Sequence, residues 1–245
     1  MMKRYFIYLS FDGTAYHGWQ IQPNGITVQQ VLQERLSTLL RREIVVVGAG
    51  RTDTGVHAHM MVAHFDSEDE IDCAQLTYKL NRMMPRDISI QKLKQVDSDL
   101  HARFSAVSRT YHYYLHTNRN PFKRFYSLEM PYQLNFDAMN EAAQQLLEVK
   151  DFGAFCKAGA DVKTTLCNLT YAKWVKMDEP GCWCFEITAN RFLRNMVRAI
   201  VGTLIEVGRE RMTIAEFINV IASGNRKNAG ESMPAHALFL WNVVY

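Results

Sequence analysis

The chain has 245 residues, 48% of them hydrophobic and 22% charged, which excludes a disordered polar tract and leaves enough length for two lobes around a substantial core. Its formal net charge of +3 leans towards a polyanionic partner without naming one, since solvated surfaces often carry that imbalance. No stretch approaches the roughly 20 apolar residues that span a bilayer, and the five cysteines (Cys73, Cys156, Cys167, Cys182 and Cys184) lack zinc-finger spacing, which fits a reducing cytoplasm.

The charged head Met1 to Arg4 precedes an apolar run, Tyr5 to Leu9, that stops at Ser10 and Asp12. It reads as a first strand, not a signal peptide. Thr27-Val28-Gln29-Gln30 has the form of a capping box opening a helix to about Arg42, with Val28, Val31, Leu32, Leu36, Leu39 and Leu40 on one stripe. Ile44 to Val47 reads as a buried strand feeding Gly48. The following loop places Arg51 and Asp53 among glycines at 48, 50 and 55, which permit positive-φ turns and close approach of a ligand to the backbone. Asp53 is thereby expected on a rigid, exposed turn. The P-loop pattern fails because no Lys-Ser/Thr follows the last glycine, and the dinucleotide fingerprint fails because Asp53 stands where it needs glycine. On composition alone the loop reads equally as a structural turn in which Arg51 and Asp53 satisfy each other.

Strands are expected at Met60 to Asp66, Ile88 to Val96 and Thr110 to His116, with a helix from Cys73 to Met83 ended by Pro85. After a loop around Asn118 to Phe125, helices are expected at Asp137 to Val149, Arg191 to Val207 and Thr213 to Ser223, the last opened by a Thr213…Glu216 capping box. Strands at Leu169 to Met177 and Cys182 to Ala189 lie between them, and Leu238 to Tyr245 follows. This order implies an α+β class with a mixed, mostly antiparallel sheet and helices on its outer face. No Pro/Gly/Ser-rich linker separates the halves, so one sheet is expected to run through both lobes, with a boundary near Phe104: an N-terminal lobe 1–104 carrying Asp53 and a C-terminal lobe 105–245.

Arg191, Arg194 and Arg198 fall at i, i+3 and i+7 on the expected helix, a spacing that by itself describes a solvated arginine face. Tyr111 and Tyr113 should share one face of their strand and His112 and Tyr114 the other; on alternation alone any of them could be core. Arg109 and Lys157 could track a phosphate backbone, though taken singly each reads as a solvated surface charge. His57-Ala58-His59 and His64 raise the question of a metal, but no third ligand has matching spacing, and none is expected.

The segment Gly50-Arg51-Thr52-Asp53-Thr54-Gly55-Val56-His57-Ala58 resembles the signature of the pseudouridine synthases, in the branch typified by tRNA pseudouridine synthase A. The resemblance extends along the chain through Phe11-Asp12-Gly13-Thr14, Gly18-Trp19-Gln20, Phe104-Ser105-Ala106, Arg109-Thr110-Tyr111, Asp151-Phe152 with Phe155, Phe192-Leu193, Met196-Val197-Arg198 and Gly202. It implies a two-lobed pseudouridine synthase fold with the active-site cleft between lobes, and a cofactor-free, metal-free isomerisation of uridine. The catalytic residues it implies are Asp53 as nucleophile or charge stabiliser, Tyr111 stacked on the target base, and Arg198 as the cation that keeps the carboxylate ionised. Arg51, Arg109, Lys157 and Arg194, with Tyr111, become the substrate-binding set, Arg51 entering the space left by a flipped nucleotide. The implied partner is tRNA, modified in the anticodon stem-loop at positions 38 to 40, with a cytoplasmic homodimer as the acting form.

Two departures bear on the choice of RNA more than on the chemistry. Cys167 stands where many relatives have arginine, and Arg194-Asn195 stands where others have His-His. The alternatives are a paralogue acting on another RNA hairpin and a non-catalytic RNA-binding protein on the same scaffold; binding alone would not call for Asp53, Tyr111 and Arg198 together. An Asp-dependent glycosidase would want a second carboxylate, for which the motifs offer none unless the fold brings Asp12 or Asp66 close.

Overall fold

The computed structural model describes residues 2–160 and 162–245. Its strands are β1 (Lys3–Phe11), β2 (Val47–Gly48), β3 (His57–Ser67), β4 (Ile88–Val96), β5 (Ser108–His116), β6 (Leu128–Glu129), β7 (Leu169–Lys176), β8 (Cys182–Ala189) and β9 (Leu238–Val244). Its helices are α1 (Val28–Leu40), α2 (Cys73–Met83), α3 (Phe136–Gln145), α4 (Met196–Gly208) and α5 (Ile214–Ala222). Among the described residues this is the expected α+β class, with a nine-stranded mixed sheet that is not closed. The chain divides into two compact units, the first running to Val107 and including Phe239–Tyr245, the second covering Ser108–Leu238.

In the first unit the strand order is β4-β1-β3-β9, with β2 on β3. All pairs are antiparallel except β3 with β9, where His57 lies opposite Phe239 and Ala58 opposite Leu240. Tyr5, Phe6, Ile7 and Leu9 of β1 and Val62 and Phe65 of β3 are buried with Trp19, Leu32 and Leu36. The Thr27 hydroxyl caps α1 by accepting from Gln30 N–H (3.3 Å). Only this half of the expected capping box forms, because the Gln30 side chain turns to Glu34 one turn on (2.9 Å). Arg41, in the left-handed region (φ 54), ends the helix.

The expected strand over Ile44 to Val47 is largely absent, since only Val47–Gly48 pairs with β3. Ile44 and Val46 are buried while Val45 is 64% exposed. The Val46 backbone is served instead by side chains of α1: its N–H donates to Gln33 Oε1 (3.1 Å) and its carbonyl accepts from Gln29 Nε2 (2.7 Å). Gln29 Oε1 meanwhile accepts from Ile21 N–H (2.9 Å), so a buried glutamine joins both segments that flank the helix.

In the second unit β5, β8 and β7 pair antiparallel in that order, and β6 adds parallel to β5. Asn140 of α3 brackets the Trp174 backbone on β7, accepting from its N–H (2.7 Å) and donating to its carbonyl (3.1 Å). The helix expected from Asp137 to Val149 ends at Gln145 and tightens into a 3₁₀ turn at Leu146–Glu148. Helix α4 is buried at every position except Arg198 and Glu206, as a helix apolar on nearly all sides must be. It begins at Met196, not near Arg191, because Asn195 takes a left-handed conformation (φ 67), its side chain donating to Ser232 Oγ (2.6 Å). The helical face expected of Arg191, Arg194 and Arg198 is therefore not formed: the first two lie on the preceding loop.

Candidate active site

In the first unit the Asp53 turn is clamped through its backbone. Gly18 (φ 82) lies against it so closely that a Cβ would overlap the Thr52 carbonyl oxygen and stand 3.1 Å from the Asp53 carbonyl carbon. Trp19 N–H donates to Thr52 O (3.3 Å), Gly55 N–H to Tyr16 O (3.4 Å), and Val56 N–H to Asp53 O (3.1 Å), closing the turn. Of the three loop glycines only Gly55 uses positive φ (77). Gly48 is required for another reason, since a Cβ would meet the Trp19 indole, while a Cβ on Gly50 would meet nothing within 4 Å. The backbone at Gly50 thus faces open space beside Arg51, which is exposed, and Asp53, which is half-buried.

Two further polar groups define this turn. His57, buried at the start of β3, accepts from Gly13 N–H at Nδ1 (3.0 Å). Asp12 Oδ1 lies 3.0 Å from the same nitrogen and accepts from the Thr14 N–H and hydroxyl (2.9 and 2.6 Å). His57 therefore fixes the 12–14 turn, whose Gly13 abuts the Val56 backbone, and reaches the Asp53 loop indirectly. Thr52, 9% exposed, has a buried hydroxyl with no hydrogen-bond partner among the described residues.

In the second unit Tyr111 is half-buried and meets Phe192 edge-on (centroids 5.1 Å, interplanar 85°). Tyr113, on the same face of β5, is fully buried and donates to Pro234 O (3.0 Å). Burial pushes the Tyr113 phenol well above its usual range, with the Arg198 charge pulling the other way. Arg198 is fixed by a reciprocal pair with Met233: its Nε donates to Met233 O (2.6 Å) and Met233 N–H donates to Arg198 O (3.1 Å). That pairing depends on a close backbone approach, because a Cβ on Gly202 would overlap the Glu231 carbonyl and one on Gly230 would meet the Gly202 carbonyl at 2.9 Å. Gly230 N–H also donates to Thr203 Oγ1 (2.9 Å).

The other expected substrate contacts are distributed around this unit. Lys157 and Arg194 are both exposed and are joined through Lys157 N–H to Arg194 O (3.1 Å). Arg109 reaches the Asn190 carbonyl (2.7 Å) at the far end of β8. Cys167 is core, 4% exposed, its thiol pushed up to about 11 by burial against the opposing pull of Arg191.

Spacing and residue type did not single out Gln29, Gln33, Tyr16, Gly230 or Met233. Gln29 carried one signal: a polar residue between Val28 and the core positions of an amphipathic helix.

The histidines that raised a metal do not gather. His59 stacks on Trp241 (4.1 Å, 17°) and His64 accepts from Ala102 N–H (3.2 Å). The group of potential metal ligands among the described residues is a different one, His112, Cys184 and Glu186. No helix among the described residues is long and apolar enough to cross a membrane.

The family model described as tRNA pseudouridine synthase matches residues 7–105 and 142–245, a span that takes in Asp53, Arg198 and the segments that hold them. A protein of Bacteroides thetaiotaomicron named tRNA pseudouridine synthase A is 55% identical over 245 residues, covering all of this chain and 91% of that protein. Namesakes from Porphyromonas gingivalis and Bacillus subtilis are 52% and 38% identical, covering 100% and 97% of this chain and 98% and 97% of theirs. With a family model over most of its length and relatives that match it end to end, the chain belongs to the tRNA pseudouridine synthase family.

Proposed function

We propose that this protein isomerises uridine to pseudouridine in the anticodon stem-loop of tRNA, at positions 38 to 40, with Asp53 as nucleophile. The carboxylate adds either to C1′ of the sugar, the base leaving with the N1–C1′ electron pair, or to C6 of the base, after which the N1–C1′ bond breaks with its electron pair on N1. The base then turns so that C5 faces C1′, the C5–C1′ bond forms, the bond to Asp53 breaks and the C5 proton is lost. N1 takes up a proton as C5 loses one, so the product is an isomer of the substrate and nothing is oxidised or reduced. Tyr111, set edge-on by Phe192, stacks on the base and stands as the acceptor of the C5 proton; phenols are weak bases, so stacking is its main part. Arg198 supplies the cation that keeps Asp53 ionised. Arg51 fills the space of the flipped nucleotide, and Arg109, Lys157 and Arg194 bind phosphates.

The observation that carries this reading is the Asp53 turn: its backbone is clamped by Gly18, Trp19 and Tyr16 while the side at Gly50 is open. Such a turn holds a reacting carboxylate still and lets a flat ring approach. We take the acting form to be a cytoplasmic homodimer, which sedimentation can test.

The decisive experiment is tritium release from tRNA labelled at uridine C5, with the modified positions mapped. Release is expected from positions 38 to 40, absent in Asp53→Ala while RNA binding stays within about tenfold, because the carboxylate acts in the chemical step. Release mapping to another hairpin would overturn the positions and favour a different RNA, the reading to which Cys167 and Arg194-Asn195 lend weight. Binding without release in the wild type would overturn catalysis altogether.

A further inference from the structure

On β5 and β8 the residues that alternate with Tyr113, Phe185 and Ile187 point away from that apolar layer, and their cross-strand register sets His112 opposite Glu186 and Tyr114 opposite Cys184. One imidazole nitrogen, one thiol sulfur and one carboxylate oxygen thereby lie within 4.8 Å of one another. His112 and Cys184 are 9% and 4% exposed, while the Glu186 side chain is 31% exposed. His112 Nε2 is 4.0 Å from Glu186 Oε1, and its Nδ1 is 3.3 Å from the Tyr114 hydroxyl.

We propose that His112, Cys184 and Glu186 form a binding site for one divalent transition metal, zinc by donor type. A nitrogen, sulfur and oxygen set suits zinc and disfavours magnesium and calcium, which take oxygen ligands. In a tetrahedral zinc site the donors stand about 3.5 Å apart, so the group must contract by about 1 Å. The Glu186 side chain, partly exposed and with three rotatable bonds, has the freedom to share in that movement. The backbones of His112 and Cys184 are held by the strand ladder.

Tyr114 supplies what a metal-bound histidine usually has, a hydrogen bond at its other ring nitrogen that fixes the ring. Tyr114, opposite Cys184 on β5, and Tyr171 on β7 lie close to this group; exposed Lys173, opposite Glu186 on β7, lies at its rim. On binding, the thiol proton leaves to solvent as the sulfur–metal bond forms, and water completes the fourth position. The site is separate from the uridine chemistry proposed above. Its effect is to pin β5 at His112, the residue after Tyr111.

The test uses full-length protein stripped with a chelator and titrated with Co²⁺ and, in competition with a chromophoric chelator, with Zn²⁺. One metal per chain is expected, with a thiolate-to-cobalt charge-transfer band and the visible bands of four-coordinate cobalt. Cys184→Ala should abolish the charge-transfer band and weaken zinc by about a hundredfold or more, Tyr114→Phe should weaken it by about tenfold, and Cys73→Ala should change nothing. Absence of the band in the wild type, or its persistence in Cys184→Ala, would overturn the site. Should Cys184→Ala fail to fold by circular dichroism, His112→Gln and Glu186→Gln decide: unchanged zinc affinity in both would also overturn it.

Discussion

In the first unit polar side chains fasten the backbone: Gln29 and Gln33 serve Val46 on the approach to Asp53, His57 holds Gly13, and His64 holds Ala102. In the second unit the backbone around Arg198 is fastened by volume: α4 is buried nearly throughout, and two glycines let the 230–233 segment press onto it. The first arrangement fails when a donor or acceptor is lost, the second when a methyl group is added. Gly18 is the exception in the first unit, a volume device set among polar ones. The Asp53 turn and the Arg198 segment should therefore respond to different perturbations.

The largest effect is expected at that exception. Gly18→Ala places a Cβ against the Thr52 and Asp53 backbone at a positive φ, costing more than about 2 kcal/mol. Moving the Asp53 backbone by about 1 Å should lower kcat about a hundredfold, read by single-turnover tritium release. A variant of unchanged rate would break the link between the clamp and Asp53.

Next, Gly202→Ala pits a gain of about 1 kcal/mol in helix propensity against overlap with the Glu231 carbonyl. The overlap should win, for a net loss of about 1 to 3 kcal/mol in chemical denaturation. Because Met233 is displaced from Arg198, kcat should fall more than RNA affinity. A stabilised variant would show that the 230–233 segment is free to move away.

A polar deletion should be smaller. Gln29→Leu keeps the apolar volume of α1 but leaves the Val46 carbonyl and the Ile21 N–H without their partner, for about 1 to 2 kcal/mol. Thermal unfolding of this variant beside Gly202→Ala sharpens the contrast. A leucine that stabilised the fold would mean that water reaches both groups.

The same contrast explains what the sequence disclosed. The turn at Asp53 was legible because its glycines, its carboxylate and its arginine lie within a few residues, and α2, β4 and β8 were legible to the residue from periodicity and caps. The start of α4 was not, because the apolar pattern continues back through Phe192 and Leu193; what breaks the helix is Asn195 at positive φ, tied to Ser232. The strand over Ile44 to Val47 failed likewise: the apolar run reads as buried throughout, yet Val45 is exposed, and the Val46 backbone finds its partners in glutamine side chains on α1, which no local pattern announces. The aim of Arg198 depends on Gly230 and Met233, whose residue types carry no chemistry by themselves.

The smallest expected effect separates the units by pH. Burial foremost, helped by the charges of Arg4 and His101, lowers His64 from 6.5 to about 4. Between those values the unfolded chain holds a proton that the folded state does not, so stability is complete above about pH 6.5 and falls as pH drops towards 4. Asp66 is held below the usual carboxylate range by its hydrogen bonds to Arg4 (2.8 Å each), so its contribution is present above the unfolded value of 3.8 and is lost only as pH falls further. The melting temperature of the wild type should therefore decline first in the histidine window and again below it. His64→Gln, whose amide oxygen can still accept from Ala102 N–H, should flatten the first decline and leave the second. A remainder is expected from His101 and from His116 of the second unit, both also lowered chiefly by burial. An undiminished slope between pH 6.5 and 4 in the variant would move the acid sensitivity away from His64, and with it the contrast between a polar clamp and a packed one.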